Sequence, residues 1–159
     1  EFFATNDRYN LIFAPHIRLF ETASMEERAA FKTFAENPRI HVDLGGPAAA
    51  DMTYTKAADL YLGDVSSQVY EFLRTPKPCL FLNSGGAAWR GDPSFHHWLF
   101  GPVLESIDRL GEGLDQAFAT HEDYLETQTL GIDETFDVSN TPASVRAARA
   151  IVDKLERVA

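Results

Sequence analysis

Five side chains in the first half of the chain have the type and spacing for phosphate or acid–base chemistry: His16, Asp64, Ser66, Ser67 and Glu71, with Arg18 close behind the histidine. His16 follows an apolar run, 11–14, that ends at Pro15, so it stands where a buried strand leaves the sheet. Ligand-contacting residues of open α/β sheets sit at such exits. Asp64, Ser66 and Ser67 follow a second apolar run, 60–62, that ends at Gly63. The two serines open a helix on which Val69, Phe72 and Leu73 share a face. Free amides and the positive dipole end at such a helix start form a seat for an anion, and two hydroxyls add donors. The same serines also serve as an ordinary helix cap, and spacing alone does not separate the two roles.

The elements that position these residues follow from the punctuation around them. Pro76 and Pro78 stop the helix, and the apolar run 79–82 supplies the next strand, so 60–82 reads as a βαβ unit with parallel strands. Upstream, Ser24 and Glu27 form a capping box, with Ala30, Phe31, Phe34 and Ala35 at helical spacing until Asn37-Pro38. Ile40-His41-Val42 predicts a short strand with His41 on its surface, and Gly45-Gly46 a plain loop, since no phosphate-loop pattern surrounds it. Residues 51–59 predict a short helix running straight into the strand at 60–62.

Downstream, the glycine-rich stretch 84–93 is long enough to be functional or mobile. His96-His97 lacks the Asp, Glu or Cys spacing of a metal set, so no metal site is expected. Aromatics around Trp98 read as core. A helix is expected over 107–119 and another over 121–129, ended by Gly131. Thr141-Pro142 then reads as the N-cap and first position of a closing helix with Val145, Ala148, Val152 and Leu155 in one stripe.

At 159 residues, 45% of them hydrophobic, the chain suits one domain over 1–159. The net charge of -10 and the lack of a basic stripe exclude nucleic acid as a partner, and any anionic ligand must be gripped locally. The single cysteine, Cys79, lies in an apolar run, which excludes a disulfide framework and fits a reducing cytoplasm. No run is long and apolar enough for membrane insertion.

The run 58–83 resembles the aspartate, aromatic, Ser-Ser signature, hydrophobic helix and following strand of CDP-glycerol glycerophosphotransferases, the teichoic-acid polymerase type of GT-B glycosyltransferase-like enzymes. Val65 stands where that family usually has tyrosine. Pro15-His16 is similar to its histidine at a strand end, with Ile17 in place of a proline, and 98–103 is similar to its tryptophan–glycine stretch. The resemblance implies an α/β fold, a Rossmann-like parallel sheet with helices on both faces, forming the C-terminal, donor-binding half of a GT-B fold. It implies a nucleotide-diphosphate-linked donor, CDP-glycerol-like, transferred to a cell-envelope polymer acceptor without a cofactor. The acceptor-binding half would lie elsewhere in a longer chain, in the cytoplasm at the inner face of the membrane, and this part alone would be inactive. In that setting Asp64, Ser66 and Ser67 hold the donor phosphates, His16 is the catalytic or phosphate-contacting residue, and Glu71 and Arg18 are further nucleotide contacts. Two alternatives stay open: a noncatalytic nucleotide or phosphate-binding module, and a nucleotide-sugar 2-epimerase-like half, which carries a DSGG-like motif where this chain has 64–67.

Overall fold

The computed structural model describes residues 1–15, 19, 23–137 and 139–157. The chain is mixed α/β, with two small parallel sheets flanked by helices, consistent with a Rossmann-like α/β fold. The first sheet pairs β1 (Leu11–Phe13) with β2 (Ile40–Val42), joined through α2 (Met25–Phe34). The second holds β3 (Tyr61–Gly63), β4 (Cys79–Leu82) and β5 (Val103–Leu104), in that order. All the ladders are parallel, as expected, but they form two pieces, with no β1–β3 pairing among the described residues.

The central strand β4 shows why both faces are covered. Side chains alternate across a strand, and all four of its residues are apolar, so each face needs a lid. Cys79 and Phe81 point into one cluster, with Val69, Phe72 and Leu73 from the α5 segment (helix Gln68–Phe72 and its cap), Trp98 and Phe100 from the 3-10 stretch Pro93–Phe100, and Ile132 from α7 (Leu125–Thr135). Leu80 points the other way, onto Leu110, Leu114 and Ala117 of α6 (Leu110–Ala119). Phe2 and Phe3 of α1 (Phe2–Thr5), together with Tyr9, extend that second cluster. Leu80 and Phe81 are completely buried, each stabilising the fold by about 1.5–3 kcal/mol.

Four expectations shift in detail. The segment expected as a helix over 51–59 holds α4 (Thr53–Ala57), and a further short helix that was not expected, α3 (Pro47–Ala50), precedes it. Met52, at φ 65°, separates the two, and the Asp51 carboxylate accepts from the Thr53 amide to start the second. Helix α7 does not end at Gly131 but runs through it to Thr135. A Cβ there would lie 2.6 Å from Cε1 of the fully buried Phe100 ring, so the glycine is a packing device rather than a stop. The pair Val103–Leu104, for which no strand was expected, adds β5 to the sheet. The closing helix α8 (Ala143–Glu156) takes Pro142, not Thr141, as its cap residue.

Gln128 of α7 fixes that helix to the sheet. It is fully buried, and its Nε2 donates to the Phe100 carbonyl at 2.7 Å and the Lys77 carbonyl at 3.0 Å. Its Oε1 faces His121 Nε2 at 3.3 Å. Every polar atom of the side chain is thereby satisfied, as burial requires. Helix α8, by contrast, buries none of its residues, and Arg146 ties it to Asp137. At the other end of the chain, Arg8 and Tyr9 both bind the Asp115 carboxylate, Arg8 at 2.6 Å and Tyr9 at 2.5 Å, holding the N-terminal segment on α6.

Candidate functional site at the carboxyl ends of the strands

The chain 64–67 leaves β3 at its carboxyl end and turns into α5. Gly63 makes the exit possible, because the Tyr61 ring folds over it and a Cβ would fall 2.6 Å from the Tyr61 hydroxyl. Burial pushes the Tyr61 phenol up to about 12, against an opposing hydrogen bond with Ser66 and with smaller upward pushes from Asp64 and Cys79. The turn is clamped from the other side. The Asp64 carbonyl accepts from Trp98 Nε1 at 3.1 Å and stands 3.3 Å from His97 Nε2. A carbonyl only accepts, so His97 carries its proton on Nε2. Burial holds the His97 pKa below its ordinary value, which keeps the ring neutral.

The two serines divide the work. Ser66 Oγ accepts the Gln68 amide at 3.2 Å, at the first position of the helix. The Ser67 side chain makes no cap bond and is exposed. The amides of Val65, Ser66 and Ser67 have no partner among the described residues. Helix α5 has only five residues, so its dipole contributes little, and the anion-attracting groups here are the three amides and the Ser67 hydroxyl. The Asp64 carboxylate is exposed at the same turn.

Sequence reasoning missed what lines the neighbouring strand exits. Asn83 after β4 is buried, donates to Glu105 Oε2 at 2.6 Å and to the Ala87 carbonyl at 3.1 Å, and accepts the Ala87 amide at 2.7 Å. Trp89 packs edge-on against Trp98, and the Arg90 guanidinium lies 4.3 Å from its ring centre. The glycine-rich stretch is thus strapped to the sheet edge by Asn83 and Glu105. The available signal was position alone, since both residues directly follow apolar runs that end at strand exits.

His16 and Arg18 fall outside the described residues. Glu71, four residues on from Ser67 along α5, lines a cavity beside α4. His41 is exposed on β2, as expected, with Nε2 at 2.8 Å from the Tyr54 hydroxyl, which donates to Asp43 Oδ2 at 2.7 Å. Asp43 also accepts the Gly45 and Gly46 amides, so the glycine pair is a plain turn closed on an aspartate. The Gly46 amide, and after it Tyr54, hold the Asp43 carboxyl below the usual range. Among the described residues no group of three or more His, Cys, Asp and Glu side chains is placed to hold a metal ion.

No protein-family model, curated protein or solved structure matches the chain. Among the described residues no helix is long and apolar enough to cross a membrane.

Proposed function

We propose that this chain is the donor-binding domain of a glycosyl- or glycerophosphotransferase, holding a nucleotide-diphosphate-linked donor of CDP-glycerol type for transfer to a cell-envelope polymer. The observation that carries this reading is the turn 64–67: three amides and a Ser67 hydroxyl without a partner among the described residues, at the carboxyl end of a parallel strand. On a chain with net charge -10, a pyrophosphate is held by such local donors rather than by a general field. In this reading the amides and Ser67 bind the donor's phosphates and stabilise the charge that develops on the leaving nucleotide. Ser66, spent on the cap and on Tyr61, positions the turn. His16 acts as acid, base or phosphate contact, and a second half of the full-length protein orients the acceptor.

The two serines separate binding from folding. In calorimetry with CDP, Ser67→Ala weakens binding by about tenfold or more, as loss of a hydrogen bond to a charged group does, and leaves the melting temperature unchanged. Ser66→Ala lowers the melting temperature through the lost cap. Binding of CDP unchanged in Ser67→Ala, or no shift of the 65–67 amide resonances on CDP addition, removes the assignment.

A further inference from the structure

The cavity beside α4, of about 350 Å³, opens between α4 and α5, lined by Met52, Lys56, Glu71, Phe72 and Arg74 among others. We propose that it binds a small phosphomonoester, at a site separate from the serine turn. Three of the chain's 14 basic residues, Lys56, Arg74 and Lys77, meet here on an otherwise acidic protein. Lys77 is already employed: its Nζ donates to the Lys56 and Ala58 carbonyls at 3.1 and 2.7 Å and lies 5.1 Å from the Phe72 ring centre. It thereby covers the carbonyl end of α4, which would otherwise repel an anion.

The side-chain charges of Lys56 and Arg74 make no ion pair or hydrogen bond among the described residues, although Asp51 feels the charge of Lys56. Two unpaired cations around one cavity repel each other and together match a dianion. Glu71, also without an ion pair or hydrogen bond among the described residues, sets the rest of the ligand. A carboxylate accepts from a hydroxyl but repels a second phosphate, so it favours a phosphorylated polyol over a polyphosphate. Buried Phe72 and half-buried Met52 supply an apolar floor for the carbon body.

Met52 gives a second, independent indication. It is the one non-glycine residue at positive φ among the described residues, at φ 65° and ψ 16°. Backbone in this region is strained for a residue with a side chain, and such strain gathers at ligand sites. Here the strained residue ends α3, starts α4 and lines the cavity.

The test is an amide-resonance titration of the chain with ribose 5-phosphate, and separately with ribose and with inorganic phosphate. Ribose 5-phosphate shifts the amides of Lys56, Arg74 and Thr75 saturably, phosphate shifts the same amides more weakly, and ribose leaves them unmoved. The Lys56→Gln, Arg74→Gln double variant binds at least about tenfold more weakly, from two lost charge-assisted bonds. Both residues are exposed, so its melting temperature stays that of the parent. Its response to CDP at 65–67 is also unchanged, which separates this site from the proposed donor site. Absence of saturable shifts at these amides, equal affinity in the double variant, or shifts confined to 65–67 overturns the proposal.

Discussion

Replacing Gly131 with alanine sets two effects of opposite sign against each other. In a helix interior the change alone stabilises by about 0.8–1 kcal/mol. At this position, however, the new methyl overlaps two atoms of the Phe100 ring, Cζ and, at 2.6 Å, Cε1, where ordinary contact begins at 3.4 Å. The ring has no room to retreat, being fully buried and packed edge-on against Tyr70 at 5.5 Å and His96 at 6.0 Å. Overpacking of this kind costs about 1–3 kcal/mol and more when backbone must move. The net expectation is destabilisation of about 1–2 kcal/mol, a fall in melting temperature of roughly 3–8 °C for a chain of this size. Urea and thermal unfolding measure it directly. The decisive comparison is a double-mutant cycle with Phe100→Leu, which removes the far end of the ring. The pair should couple by about 1 kcal/mol or more, the double variant being less unstable than the two changes added. A Gly131→Ala protein more stable than the parent, as propensity alone dictates, would refute this packing of α7 against the Pro93–Phe100 stretch.

Ending the chain before Ser139 removes α8, which buries nothing, and the melting temperature of the remainder should change by no more than about 2 °C, as for exposed substitutions; a cooperative loss of folding would show that the stripe is covered. The Tyr61 phenol, raised by burial to about 12 from an ordinary value near 10, holds its proton more tightly in the folded than in the unfolded chain. It therefore contributes stability that is fully present below pH 10 and lost as pH rises from 10 through 12, on the order of 2–3 kcal/mol. Absorbance titration of the parent and of Tyr61→Phe checks this: the variant lacks the last phenol transition, and an unchanged final transition would contradict the burial of Tyr61.

The βαβ unit from β3 to β4 is legible in the sequence because each boundary carries its own chemical mark. Gly63 ends a run of apolar residues, Ser66 and Ser67 open the helix, and Pro76 and Pro78 exclude helix before the next apolar run. The capping box of Ser24 and Glu27 is equally local and forms as written. What does not show in sequence depends on partners distant along the chain. Gly131 reads as a helix stop until the Phe100 ring beside it is known, and Val103–Leu104 is too short to announce a strand until β4 offers it a ladder. Met52 separates two short helices by a backbone conformation that its residue type disfavours, so no local rule anticipates it. At the site, Ser67 and Asp64 are visible as residues at a strand exit. The buried Asn83–Glu105 bond joins two exits 22 residues apart and is visible only in three dimensions.

The link from Arg8 and Tyr9 to Asp115 spans 107 and 106 residues of sequence, and it has a bearing on the order in which the molecule forms. The leucine face of β4 needs both α6 and the phenylalanines of α1 to exclude water, yet these arrive at opposite ends of a long loop whose closure entropy must be met before any contact rewards it. The βαβ unit and its α7 lid use partners nearer in sequence. During synthesis, Phe2 and Phe3 therefore have no α6 to pack against until residue 115 has emerged.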